Sequence, residues 1–376
     1  MGIQIVPYRD EHVPEVADFN RRMAEGQSPW GWYEAAVDDW IPPREGIEVW
    51  RDHFVATDDE GRVRGAYALK PQPWIIRGER HSVSDWQGPV SEGAISPRHA
   101  ALGLRLIRDM LKRSPLLYSW GHGGDDATML QLLRSLGWLI HDTPFCIRVC
   151  HPFAFLRRNR YLRGTTRNRL ALDALAFTGA GSVGFRALQA LRGLRRPSLR
   201  DVSCEEVDEF GAWADDLWAA CHGDYLALGL RDASTMNALV PASGWPFGIR
   251  LRVRRGGQDI GWAVAMDNRD PEDPRFGDLR VGCIADVLAK PADAPVVIAA
   301  ASRFLADRGV DLIGSNQSHP DWVQAFARNG YLVLENRRTL AVSPEFQAAL
   351  EPFEEARSGL HLTNMDGHGP HGFGAG

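Results

Sequence analysis

Glu92 is followed at once by Gly93, and His122 stands among Gly121, Gly123 and Gly124. A carboxylate and an imidazole are the side chains most used to move protons near neutral pH. Glycine beside each lets a ligand approach the backbone. Transfer of an acyl group to an amine needs a base for the ammonium proton, polarisation of the carbonyl and an acid for the leaving group. Glu92 and His122 are the expected catalytic pair. The competing reading makes Glu92 a solvated strand residue and His122 part of a turn.

Asp286 is a second centre, because it interrupts the apolar run Ile284, Ala285, Val287 and Leu288. An acid in such a run is either partnered or functional, since burying it alone costs on the order of several kcal/mol and raises its pKa. Ser315 to His319 follow the next apolar run and put polar groups at a strand end, where open α/β sheets bind ligands. Asp286 and Asn316 are therefore expected to contact substrate. Ser318 and His319 serve equally well as caps of a helix starting near Pro320. Trp30, Trp32, Trp40, Trp50, Trp74 and Trp86 form either a sugar-stacking platform or core packing.

The elements that must hold these residues occur twice. Leu132–Trp138 and Ala325–Tyr331 close two similar segments, offset by 330 − 137 = 193 residues. The same offset lays Gly88–Ser96 on Val281–Ala289. Each unit reads as strand, helix, hairpin, long strand, helix, strand, helix ending in Gly-aromatic, then closing strands. In the second unit Cys204–Ala220 reads as the helix. A repeat this long is two copies of a domain-sized unit, beyond the ~20–50 residues of a solenoid repeat. The expected division is 1–150 and 201–345, joined by 151–200 and followed by 346–376, whose Gly/His-rich end reads as flexible.

The chain of 376 residues carries 44% hydrophobic and 24% charged residues, which suits a folded protein of about two domains. Five cysteines without a CxxC pair point to free thiols in a reducing compartment, so to a cytoplasmic protein. No metal site is expected; His361, His368 and His371 lie too loosely in the tail to make one. The net charge of −5 hides one basic stretch: residues 151–200 hold eleven arginines against the single acid Asp173. Apolar residues interleave with these arginines. That composition fits peripheral contact with an anionic membrane or a basic interdomain connection. Base-stacking motifs are lacking, so no nucleic acid is expected.

The order of elements, with the Leu136–Trp138 and Asn329–Tyr331 endings, resembles the GNAT N-acyltransferase superfamily in tandem. It is similar in particular to the two-domain members found in bacterial polysaccharide gene sets. The resemblance implies an α+β (α/β) fold with two GNAT-like domains, each a mixed, partly parallel sheet flanked by helices. It also implies acyl-CoA as co-substrate, held by backbone amides at the N-terminus of the helix after the long strand. Ile95, Ser96, Arg98 and Gly103 occupy that loop in the first unit. In the second, Asp293 stands where phosphate would approach, so the first unit is the expected cofactor site. The implied activity is N-acylation of an amino group, such as that of an amino sugar in polysaccharide synthesis. The alternatives are a Fem-like aminoacyltransferase and a non-catalytic binding or scaffold protein.

Overall fold

A computed structural model of the chain describes residues 2–36, 40–122, 128–242, 248–273 and 275–367. The first unit runs β1 (Ile3–Pro7), α1 (Val13–Glu25), β2 (Asp52–Asp58), β3 (Val63–Ile76), β4 (Glu79–Ser91), α2 (Leu102–Arg113), β5 (Leu117–His122), α3 (Thr128–Ser135) and β6 (Leu139–Val149). Three helices follow, α4 (Pro152–Arg158), α5 (Thr166–Phe177) and α6 (Ala180–Arg192). The second unit holds β7 (Val202–Glu206), α7 (Ala212–Cys221), β8 (Ala227–Gly229), α8 (Ala233–Leu239), β9 (Ile249–Arg255), β10 (Gln258–Arg269), β11 (Arg280–Ala289), α9 (Ala294–Asp307), β12 (Leu312–Asn316), α10 (Pro320–Arg328) and β13 (Leu332–Val342). The chain continues through α11 (Pro344–Leu350), α12 (Phe353–Gly359) and β14 (Leu360–His361).

All strands join one mixed sheet, ordered β1-β2-β3-β4-β5-β13-β6-β12-β11-β10-β9-β7, with β8 and β14 beside β3. The mixed sheet flanked by helices is the expected tandem GNAT architecture. At its centre the closing strands are exchanged. β13 of the second unit pairs with β5 of the first, while β6 of the first pairs with β12 of the second. The two exchanged strands then pair with each other, antiparallel, from Leu332–Ile147 to Val342–Leu139.

Their bounds, 139–149 and 332–342, keep the 193-residue offset at both ends. Gly137 and Gly330, at φ +81° and +84°, end the preceding helices in the left-handed conformation that glycine adopts without a Cβ clash.

The helices cover both faces because their apolar residues fall on one side. In α2, Leu102, Leu106, Ile107 and Met110 recur at helical spacing and pack on Tyr67, Leu69 and Trp86. On the opposite face Val16, Phe19 and Met23 of α1 meet Val55, Val63, Ala66 and Ala68. In the second unit α7 to α10 share one core with β9 to β12.

Three expectations need correction. The second unit opens on a strand, β7, that includes Cys204, so Cys204–Ala220 is not one helix. The long strand of the first unit spans Glu79–Ser91 and is reached by a hairpin turn at Arg77 and Gly78, φ +50° and +83°. Arg-Gly lacks the usual Asn-Gly signal for a turn that places two residues at positive φ. The β-bulges align Gln87 with Ile284 rather than Gly88 with Val281. A strand period of two leaves a four-residue slip invisible. Finally, Leu360 to Asp366 are buried, not a flexible tail; His368 and His371 lie outside the described residues.

Because β13 fills the space between β5 and β6, the first unit has no closed sheet of its own. Residues 1–200 expressed alone are expected to give no monomer with cooperative unfolding, whereas co-expression with 201–376 restores one. Gel filtration and denaturant unfolding of both preparations check this.

Candidate active site

Parallel strands β4 and β5 pair only at Ser84–Leu117 and Asp85–Tyr118, and beyond these residues they diverge. The β3–β4 register slips between Ala66 and Ala68, a bulge that bends the strand where the divergence begins. The second unit does the same: β11 and β12 pair from Val281–Leu312 to Cys283–Gly314, then separate, with a slip opposite Val264 and Ala265. Each unit therefore opens a gap lined by backbone groups that the ladder does not use. These groups need partners.

The C-terminal segment lies along both gaps, meeting one backbone carbonyl and several side chains of the diverging strands. In the second gap His361 Nε2 lies 2.9 Å from the Val287 carbonyl, and the Asn316 amide donates to Asn364 Oδ1 at 2.9 Å. Thr363 Oγ1 donates to Asp286 at 2.9 Å, and Asn364 Nδ2 to Cys283 Sγ at 3.4 Å. The segment then crosses to the first gap. There Tyr118 donates to the Asp366 carbonyl at 2.5 Å and Gln87 Nε2 to the Gly367 carbonyl at 3.0 Å. Lys70 Nζ donates to the carbonyls of Met365 and Gly367, both at 2.6 Å.

Charged side chains surround this crossing. Arg231 bonds Asp366 at 2.6 Å and Asp286 at 3.2 Å, all three being buried. Burial pushes the Asp286 carboxyl up, and Arg231 pulls it back. The arginine is the reason an acid survives there.

Asp85 sits at the point of divergence. Burial pushes it up to about 7, with Lys70 opposing the shift, while burial lowers Lys70 to about 8. Its Oδ2 accepts from Gln87 at 2.6 Å, and its Oδ1 is buried without a hydrogen-bond partner. Gln72 Oε1, Gln87 Oε1 and Asp366 Oδ1 are orphaned likewise, so acceptor oxygens collect beside Lys70. A carboxylate poised near neutrality beside unsatisfied acceptors suits proton removal from a donor-rich ligand.

The first gap also adjoins an open helix N-terminus. Residues 92–101 lead from β4 to α2, and no side chain caps that helix. A Cβ on Gly103 would meet nothing within 4 Å. Arg98 and His99 stand in the preceding turn, so free N–H groups, the helix dipole and positive charge coincide. Ser96 starts that turn, and Ile95 packs with the α1 core. In the second unit the connection is only 290–293, and Asp293, held by Arg255 at 3.1 Å, occupies the N-cap of α9. Acid on the helix end excludes phosphate.

The sequence-derived residues divide. Glu92 lies in the turn after β4, not in the strand, and both its oxygens are taken: Arg22 at 2.6 Å and Arg64 at 2.8 Å. It ties α1 to β3 and is not free to act as a base. His122 ends β5 opposite Thr339, but its side chain lies outside the described residues. Asp286 and Asn316 come together, yet on the C-terminal segment, not on an open cleft. Trp40, Trp74 and Trp86 are core residues and form no platform. Lys70, Asp85, Arg231 and Asp366 were missed. The signal that marks Asp286, a charge within an apolar run, applies also to Lys70 after Ala66–Leu69, whereas Asp85 stands among Ser82, Ser84 and Gln87 and carries no such mark.

Among the described residues no helix is long and apolar enough to cross a membrane, and no His, Cys, Asp and Glu group is arranged to hold a metal ion. No family model and no curated protein matches the sequence. Solved structures do match. A conserved protein of unknown function from Enterococcus faecalis, described as a probable N-acyltransferase, superposes with TM-score 0.50 at 10% identity over 93% of this chain and 74% of that one. Saccharomyces cerevisiae N-myristoyltransferase, solved with bound myristoyl-CoA and inhibitors, gives 0.53 at 7% identity over 90% and 79%. These matches establish the acyltransferase fold.

Two outcomes follow from the ion pairs. Glu92→Gln is expected to lower stability by about 2 kcal/mol, measured by urea unfolding, since it takes one charged partner from each of two arginines while Arg22 keeps Asp18 and Arg64 keeps Asp58. Turnover per folded molecule should not change. Truncation after Gly359 removes both carbonyls that hold Lys70 and takes Asp366 from Arg231 and Thr363 from Asp286, and should abolish cooperative unfolding in the same assay.

Proposed function

We propose that the protein is an N-acyltransferase that moves an acyl group from acyl-CoA to an amine. The observation that carries this reading is the first gap: diverging β4 and β5, the uncapped α2 with Gly103, and Asp85 at the apex. The fold shared with N-acyltransferases supports it but does not by itself assign an activity. The pyrophosphate would rest on the amides of α2 beside Arg98, with the thioester lying toward the divergence. Residues Ile95 and Ser96 shape the approach.

Asp85, in place of Glu92, takes the base role in this proposal. As the amine attacks the thioester carbonyl, Asp85 Oδ1 accepts the ammonium proton, and the tetrahedral intermediate collapses with departure of the CoA thiolate. Lys70, held against the C-terminal carbonyls, keeps positive charge near the developing oxyanion. The orphaned oxygens of Gln72, Gln87 and Asp366 would receive the acceptor's donors. That favours an acceptor rich in hydroxyl and amino groups, and we extend the proposal to an amino sugar of a polysaccharide precursor. Five free thiols support a cytoplasmic setting, with peripheral membrane contact through 151–200. The competing reading is non-catalytic, because the C-terminal segment fills both gaps.

A thermal-shift series with acetyl-CoA and longer acyl-CoAs tests cofactor use, since a ligand bound only to the folded state stabilises it by mass action. A flat melting temperature at saturating ligand would favour the non-catalytic reading. With turnover in hand, Asp85→Asn should lower kcat by about 10²–10⁴ and erase a rise in rate as pH increases through about 7. The sign follows from the base acting only when deprotonated. Gly103→Glu places an acid among the amides of α2 and should raise KM for acyl-CoA about tenfold or more while sparing kcat.

A further inference from the structure

We infer that the helical layer α4–α6 is a docking surface for an anionic phospholipid bilayer, with a headgroup phosphate seated between Arg192, Arg195 and Arg328. This deepens the membrane contact proposed above and stands apart from the acyl-transfer reading, so the two can fail separately.

The layer is anchored on one side only. Phe155 packs with Val149, Leu279 and Leu312, and Phe185 closes over them. The outward side has no cover. Among the described residues, ten of the twelve exposed large hydrophobic side chains lie between Phe153 and Leu194. In α6 and the turn after it, Val183, Ala187, Leu191 and Leu194 recur at i, i+4, i+8 and i+11, and so share one face. Leu194 is 79% exposed and Val183 69%. On α5, Leu170 and Phe177 are each 68% exposed. Scattered apolar residues are ordinary on a surface, but a contiguous patch marks an interaction site.

Charge selects the partner. The one acid of the layer, Asp173, is consumed internally by Arg157 at 2.6 Å and Arg163 at 2.5 Å. The remaining arginines leave the layer strongly basic. Arg192 and Arg195 line, with Gln324, Ala327 and Arg328, a pocket of about 290 Å³. Three arginine side chains along one surface pocket give it the positive charge that suits a phosphate oxyanion, and Arg328 also donates to Gln324 at 2.7 Å. A second copy of this chain would bring arginines against arginines, which disfavours self-association. A nucleic acid would match the charge yet leave the leucines in water. A bilayer with anionic headgroups satisfies both, burying the apolar face at the acyl boundary while phosphate meets the arginines.

The test is co-sedimentation of the full chain with vesicles of phosphatidylcholine alone or mixed with phosphatidylglycerol. Expected is binding to the mixed vesicles that weakens as salt rises. Leu191→Glu/Leu194→Glu should reduce it about tenfold or more. Arg192→Gln, Arg195→Gln and Arg328→Gln should each cost about fivefold. All five positions are solvent-facing, and circular dichroism verifies that the variants fold. Failure to bind mixed vesicles overturns the inference, as does equal binding to phosphatidylcholine alone or undiminished binding by the leucine variant. So does concentration-dependent dimerisation that the leucine variant abolishes, or salt-sensitive binding of RNA with none to vesicles.

Discussion

The antiparallel ladder between β6 and β13 is the constraint on which the rest of the molecule depends. Each of these strands closes the sheet of the other unit, so neither half can satisfy its backbone hydrogen bonds by itself. An unpaired strand edge in the middle of a sheet would leave a row of N–H and C=O groups without partners. The exchange removes two such edges at once and turns two homologous sheets into one. It also fixes the distance between the two gaps at which parallel strands diverge. Everything polar at the centre follows from that placement.

Diverging strands expose backbone groups to a protein interior, where an unsatisfied carbonyl or amide costs more than in water. Residues 360–367 pass along both openings, where His361 meets the Val287 carbonyl and strand side chains hold the rest of the segment. A segment carrying so many polar groups requires counter-charges, and these come from buried positions on three strands: Lys70 on β3, Asp85 on β4 and Asp286 on β11. The geometry of the second unit closes around this segment, with Asp286 held by Arg231 and Thr363, and with Asp293 on the helix end. In the first unit the segment leaves Asp85 Oδ1 unpartnered and α2 uncapped. The duplicated architecture has thus diverged: both units hold the C-terminal segment, but only the first leaves an unpartnered carboxylate oxygen on its long strand beside an uncapped helix.

The sequence exposed a good part of this. The 193-residue echo predicted β6, β13 and their preceding helices, because a helix ending in glycine and a closing strand follow local rules. It identified the tandem arrangement and the asymmetry between Gly103 and Asp293. It set the long strand four residues out of register with its counterpart, since alternation repeats every two and loop lengths differ between the units. Glu92 drew attention by its neighbour Gly93, but its two arginine partners come from positions 22 and 64, which no local pattern connects to it. The aromatic run from Trp30 to Trp86 offered a surface platform, and hydrophobicity instead drove most of it inside.

The C-terminal residues show where the boundary lies. Their Gly- and His-rich composition signals flexibility, because such a segment cannot build a core of its own. It needs none, since a core built by two other chain segments receives it, and burial there holds His361 far below its ordinary pKa, and so neutral. By itself the sequence determined the elements, their duplication and the basic, apolar stretch at 151–200, because each depends on neighbours a few residues apart. Strand exchange, the path of residues 360–367 and the meeting of Lys70, Asp85, Arg231 and Asp366 were decided only by tertiary structure. Those arise from hydrogen-bond and charge satisfaction between residues as much as 297 positions apart, and periodicity carries no information at that range.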